Sequence, residues 1–196
     1  MKLSGHNTFI NSLLAGTRCV QQVTRALLLI LLSLAPATGT ADNASHTEHR
    51  IKTAFLYNFS RFVVWPNAAL RDRTEFSLCT LGNTLFEEQL DTLNGKTVHS
   101  KTLVIKRFSK PEDILDCHLV FIGQTDSFDE TLWMLKELPV LTVSDTPAFT
   151  EKGGMIQFKL VDNKVRFRIN VDAARTAGLE ISSKLLSLAI SVTGSR

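Results

Sequence analysis

The segment that most constrains this chain is Pro139 to Asn170, PVLTVSDTPAFTEKGGMIQFKLVDNKVRFRIN, where three strand signals and three turn signals follow one another with little slack. Pro139 opens the short apolar run Val140 to Val143, which stops at Ser144-Asp145 with Pro147 close behind, the pattern of a buried strand ending in a loop. Gly153-Gly154 frees the backbone for a sharp turn into Met155 to Val161. Ile156, Phe158 and Leu160 then share one face, and after a two-residue Asp162-Asn163 turn Val165, Phe167 and Ile169 continue it. A turn of that length predicts the cross-strand pairs Leu160 with Val165, Phe158 with Phe167 and Ile156 with Ile169. The other face pairs Lys159 with Arg166 and Gln157 with Arg168, so it is expected to be wet or to meet something acidic.

Upstream, strands alternate with helices. Glu75 to Leu81 reads as a strand, followed by Gly82-Asn83-Thr84 and a helical run from Leu85 to Leu93 that ends at Asn94-Gly95. Thr102 to Phe108 is a second strand, Pro111 to Asp116 a turn or short helix, and Cys117 to Ile122 a strand apolar on both faces and therefore central. A helix from Ser127 or Phe128 to Leu138 returns the chain to the Val140 strand. The pattern predicts an α/β fold: a single three-layer domain with a mixed sheet of about six strands flanked by helices, and the β-hairpin in its C-terminal half. At the front, Ser45-His46-Thr47-Glu48 has the capping-box form. Behind it Ile51, Ala54, Phe55, Phe59 and Phe62 recur at helical spacing until Trp65-Pro66, an aromatic stripe expected to be core rather than a docking face. After the hairpin, Asn170 is expected to cap a short helix, Val171 to Ala177, stopped by Gly178. A final helix is expected after Ser182, with Leu185, Leu186, Leu188, Ala189 and Val192 on a broad apolar face.

The first 41 residues carry three bases, Lys2, Arg18 and Arg25, and no acid, and Ala26 to Ala35 is an apolar run shorter than the about 20 residues a membrane span needs. Small residues follow at signal-peptidase spacing, with cleavage expected after Ala37 or Ala41. Residues 1–41 are thus read as a signal peptide and 42–196 as the exported domain. Its removal takes three of the 22 Lys and Arg and none of the 19 Asp and Glu, so the exported domain is formally neutral. A neutral domain without a basic stripe argues against nucleic acid or an anionic membrane as partner. Cys19 leaves with the signal, and the even pair Cys79 and Cys117, sent to an oxidising compartment, is expected to form a disulfide.

Motifs for chemistry are sparse. Leu81-Gly82-Asn83 is not a GxGxxG phosphate cradle, and neither GxxxxGK[ST] nor GxSxG occurs. His46 and His49 lie at i, i+3, a spacing better explained by a solvated helix start than by a metal. His118, beside Cys117, reads as a satisfied structural histidine. Asp145, just past a central strand, stands where α/β proteins place functional groups, but an Asx cap on the turn at Thr146-Pro147 accounts for it more simply. From the residues alone, no catalytic group, metal or cofactor is assigned.

Seven ordered blocks nevertheless match a known pattern: KTAFLYNFSRFVVWP from Lys52, FSLCTLG from Phe76, Cys117-His118 with LVFIG, PVLTVSD from Pro139, F-x₃-GGMIQF from Phe149, VRFRIN from Val165, and GLEISSKLLSLA from Gly178. By these the chain resembles the YfiR family over nearly its whole exported length. The resemblance implies a non-enzymatic periplasmic repressor that binds the periplasmic domain of an inner-membrane diguanylate cyclase and so controls cyclic di-GMP and biofilm formation. It also implies an outer-membrane lipoprotein that sequesters the repressor, a homodimer, and folding that depends on disulfide state. Cys79 and Cys117 fall on the family's FSLC and CH positions. The second cysteine pair that some members carry is missing between Asp145 and Val165, which speaks against a redox switch requiring two disulfides. The contact is expected on the polar hairpin face, at Lys159, Arg166 and Arg168, and on the loop from Asp145 to Gly154, including Gly153 and Gly154. Neither region is expected to be needed to fill the core. The alternative is a small-ligand sensor that uses a cleft at the strand ends.

Overall fold

The computed structural model describes residues 44–194 in full and only the backbone of residues 40–43. The signal-peptide reading and Cys19 fall outside the fully described residues. Ala44–Arg196 forms one compact unit. In chain order the elements are α1 (Thr40–Phe62), β1 (Val63–Val64), α2 (Asn67–Leu70), β2 (Glu75–Leu81), α3 (Glu87–Asp91), β3 (Thr97–Val98) and β4 (Lys101–Phe108). A 3₁₀ turn (Pro111–Ile114), β5 (Leu119–Ile122), α4 (Phe128–Leu135), β6 (Leu141–Ser144), β7 (Ile156–Val161) and β8 (Lys164–Asn170) follow. The described chain closes with α5 (Val171–Thr176), β9 (Glu180–Ile181), α6 (Ser183–Leu186) and β10 (Ser191–Thr193).

Eight strands form one mixed sheet in the order β10-β8-β7-β6-β5-β2-β4-β3, and β1 with β9 makes a second, two-stranded one. From β4 to β7 all neighbours are parallel, while β7 and β8 form the antiparallel hairpin. The central strands are covered on both faces. In β2, Phe76 and Leu78 join the core that includes Leu56 and Phe59 of α1. Cys79 and Leu81 point the other way, to Ile114, Leu132, Leu135 and Phe149. The α/β class, the three layers and the hairpin are as the sequence predicts. Every predicted hairpin pair is present, Leu160 with Val165, Phe158 with Phe167 and Ile156 with Ile169 among them. Cys79 and Cys117 are bonded, their Cα atoms 6.1 Å apart across a 38-residue separation.

Four expectations need correction. The first helix begins at Thr40, so Ser45 is inside it and caps nothing; Glu48 instead reaches one turn on to Lys52. The last helix is a single turn, α6, capped by the Ser182 hydroxyl, which accepts from the Leu185 N–H at 3.4 Å. The chain then straightens into β10, which pairs with the outer edge of β8 and satisfies backbone that would otherwise form an open sheet edge. Leu160 keeps its predicted register yet is 54% exposed, because β6 pairs only with Ile156 and Gln157 and the hairpin overhangs it. Finally, the polar hairpin face is wet only toward the tip, since Gln157 at its base is buried.

Candidate functional site

Parallel α/β sheets bind ligands past the carboxyl ends of their strands, at the point where the strand order reverses direction. Here the chain goes outward from β2 to β4 and then returns across β2 to β5, so that point lies between β2 and β5. Both strands run directly into a glycine, Gly82 and Gly123. The two loops then clasp each other, the Asn83 N–H donating to Gln124 O at 3.0 Å and the Gln124 N–H to Asn83 O at 3.1 Å. A Cβ on Gly82 would collide with the Gln124 carbonyl and one on Gly123 with that of Asn83, and Gly82 also sits at φ +76. The N-terminal half of α1 roofs this junction. A cleft of 370 Å³ results, its lining including Glu48, His49, Lys52, Asn83, Thr84 and Gln124, with Phe86 and Phe121 as apolar floor.

Lys52 is the charged centre of the roof. Its ammonium, on a side chain only 10% exposed, lies 2.7 Å from Glu48 Oε1 and 2.7 Å from Asp145 Oδ2. Burial alone would lower its pKa, but hydrogen bonds to Asp145 and Glu48 outweigh that and hold it above the ordinary lysine value. His49 packs against the Phe86 ring at 5.7 Å; burial first, and the Lys52 cation second, lower its pKa, so its imidazole is neutral at pH 7. Asp145 does not cap its turn. The Ser144 hydroxyl does, accepting from the Thr146 N–H at 3.1 Å while donating to Ile122 O at 2.7 Å, which leaves Asp145 to reach back to the first helix.

The other residues singled out from the sequence divide between three places. Arg168 pairs with Glu151 at 3.1 Å, and Gln157 donates to Thr146 O at 2.9 Å, so the loop from Asp145 to Gly154 folds over the base of the hairpin's polar face. Lys159 and Arg166 face each other nearer the tip, and neither has an ion pair among the described residues. Lys159 and Asp145 share a groove of 310 Å³ beside α1. Gly153, at φ +98, lines a separate groove of 590 Å³ with Trp133 of α4, while Gly154 is buried under the Phe149 ring and offers no contact surface. The loop does fill the core, because Phe149 has 0% exposure. His118 is structural but only half satisfied, against the sequence expectation: its Nδ1 accepts from the Ser77 N–H at 3.0 Å and its ring stacks on Phe76 at 4.6 Å, while its Nε2 is buried without a hydrogen-bond partner, and burial, aided by Arg73, lowers its pKa to about 4.

Sequence reasoning did not assemble Glu48, His49, Lys52, Asn83, Thr84 and Gln124 into one site. The Glu48/Lys52 spacing of four was a visible cue, but Lys52 and Asp145 are 93 residues apart and meet only through the strand order.

Comparison with protein-family models gives a match described as YfiR/HmsC-like over residues 49–190. Among solved structures, a crystal structure of a conserved domain protein from Vibrio cholerae O1 biovar El Tor is similar at 10% identity and a TM-score of 0.47, over 74% of this chain and 60% of that one. The chain therefore spans 60% of the length of that solved relative.

Proposed function

The chain belongs to the YfiR/HmsC-like family, and on that premise we propose that it is a non-enzymatic periplasmic regulator that holds an inner-membrane diguanylate cyclase inactive by binding its periplasmic domain. Residues 1–41 direct export, residues 42–196 are the regulatory domain, and the output is lower cyclic di-GMP and less biofilm. The observation that carries the reading is the family match over 142 residues, numbers 49 to 190. The overhanging hairpin supports it with a contact surface. Lys159 and Arg166 present uncompensated cations beside the exposed apolar tip of Leu160 and Val161, and such a surface suits an acidic sensor face. Exposed Leu188 and Ile190 just before β10, with Val192 in it, likewise support a homodimer. An outer-membrane lipoprotein that competes for the same domain would complete the switch.

Deleting the gene is expected to raise cyclic di-GMP only when a membrane diguanylate cyclase with a periplasmic domain is present. The double variant Lys159→Glu, Arg166→Glu is expected to relieve repression with its melting temperature nearly unchanged. Unchanged cyclic di-GMP in the deletion strain with every candidate cyclase expressed would remove the repressor reading.

A further inference from the structure

The outer half of the hairpin offers more than a charged surface, because one of its backbone edges is open. The two-residue turn makes Val161 and Lys164 a pair that exchange backbone hydrogen bonds, and the Asn170 N–H donating to Met155 O at 2.8 Å continues the same alternation at the base. Gln157, Lys159 and Val161 therefore bond to β8, and the backbone groups of Ile156, Phe158 and Leu160 point to the β6 side. There the ladder stops at Ser144 with Gln157. Its continuation would pair the Thr146 N–H with Phe158 O and Thr146 O with the Leu160 N–H, but both Thr146 groups are engaged elsewhere. The N–H donates to Ser144 Oγ at 3.1 Å, the carbonyl accepts from Gln157 Nε2 at 2.9 Å, and Pro147, next in the chain, has no N–H to give. The Phe158 carbonyl and the Leu160 N–H and carbonyl are thus left without a hydrogen-bond partner among the described residues. Other overrunning strands are closed: where β4 passes the end of β3 the Ile105 N–H donates to Asn94 Oδ1 at 2.8 Å, and where β8 passes β10 the Phe167 carbonyl accepts from the Ile190 N–H at 3.0 Å.

The open edge borders the groove of 310 Å³ beside α1, whose lining includes Phe158, Lys159 and Leu160. An extended peptide laid there continues the line of β6 and takes up the free backbone groups, the strand-addition mode of recognition. Strand alternation sets what its side chains meet. On the α1 side lie Leu160, 54% exposed, and Val165 opposite it; on the other side lies Lys159 with Arg166 opposite. Lys159, Lys164 and Arg166 have no ion pair among the described residues, and from Phe158 to Arg166 these three cations stand against the single acid Asp162. The inner end of the groove is the reverse, since Lys52 there holds both Glu48 and Asp145, a net negative charge that keeps further acid toward the tip. A second copy of the chain is a poor occupant, because pairing edge to edge sets the Lys159 cations of the two protomers near each other. We propose that the open edge of β7 takes up, as an added strand, an extended segment of a protein partner in which acidic residues alternate with apolar ones. For the identity of that partner, the periplasmic domain of the cyclase, the inference rests on the reading above.

The test titrates the purified protein with a blocked hexapeptide of alternating Glu and Val, and with its Lys and Val counterpart as control, following backbone amides by NMR. The acidic peptide is expected to give saturable shifts centred on Leu160 and to slow hydrogen exchange at the Leu160 amide about tenfold or more, with the basic peptide weaker by about tenfold. Leu160→Pro removes the edge N–H without touching the β7 to β8 ladder, and is expected to weaken binding by about tenfold or more. The double variant Lys159→Glu, Arg166→Glu keeps the backbone intact and is expected to exchange the preferences for the two peptides, a result that stands whether or not the proline variant folds. The proposal is overturned if neither peptide saturates at tens of millimolar, if the two bind equally, or if shifts appear without slowed exchange at Leu160, which would mean side-chain docking instead of strand addition. It is overturned also if the peptide-free protein has the mass of two chains and Leu160→Pro that of one, which would give the edge to a second copy. None of these readouts involves the cyclase: peptide binding beside unchanged cyclic di-GMP in the deletion strain would remove the repressor reading and leave the edge site in place.

Discussion

On one face of the sheet the rings of Phe55 and Phe59 from α1 meet Phe158 and Phe167 from the hairpin at centroid separations of 5.0 to 6.1 Å. On the other face the cover is the eight-residue α4, a 3₁₀ turn and the loop carrying Phe149, and here the Cys79–Cys117 bond ties β2 to the start of β5. A long helix with an aromatic stripe buries enough apolar surface to hold its side by burial alone. A short helix does not, and a covalent link makes up the difference by restricting the unfolded chain. Cys117 and His118, adjacent in sequence, serve the two faces in turn: the sulfur lies in the disulfide face and the imidazole stacks on Phe76 of the aromatic one.

The largest expected effect probes the aromatic face. Phe59→Ala, at 0% exposure with ring contacts to three other phenylalanines, is expected to cost about 3–5 kcal/mol in urea denaturation. A loss below about 1 kcal/mol would mean that this face is not held by burial. Next, replacing both Cys79 and Cys117 by Ala is expected to cost roughly 2–4 kcal/mol for this loop, and the native protein alkylated under denaturing, non-reducing conditions should gain no mass. Equal stability of the oxidised and cysteine-free proteins would erase the contrast between the faces.

Acid separates the faces further. Because the folded pKa of His118, about 4, lies below its ordinary value of 6.5, the folded state resists protonation there. Its stabilising contribution is complete above pH 6.5 and is lost as the pH falls toward 4. The expected loss from this group between pH 6.5 and 4.5 is about 2 kcal/mol, measured as the difference in pH dependence between the native protein and His118→Gln. The smallest effect is on the outer hairpin, where Lys159→Ala or Arg166→Ala is expected to change stability by less than about 0.5 kcal/mol. A larger change at either position would show that the polar tip is packed rather than wet.

The hairpin was legible because its pairing is local. Its two-residue turn places Asp162 at φ 48 and Asn163 at φ 58, the left-handed conformation that these two residue types tolerate best, and register then follows by counting. The C-terminal strand was not legible, although its signal was present. Leu188, Ile190 and Val192 alternate with period two, but Leu185 and Leu186 just before them begin a helical pattern, and only β8 decides between the readings, through Ile190 N–H donating to Phe167 O at 3.0 Å. Asp145 was correctly placed past a strand end, yet its partner was assigned locally while the actual partner stands on the first helix. The cleft at β2 and β5 was the least legible part, because a switch point is a property of strand order, which no single segment contains.

The aromatic stripe of α1 also sets the order of events when the chain is made. The helix emerges first, but the rings it packs against, on Phe158 and Phe167, follow roughly a hundred residues later, and β1 waits longer still for β9. Until the hairpin arrives, Phe55 and Phe59 have no native surface to cover them, and during that interval the stripe is a site for a holdase chaperone or for misassociation between nascent chains. A chain truncated before residue 170 would therefore aggregate rather than fold in part.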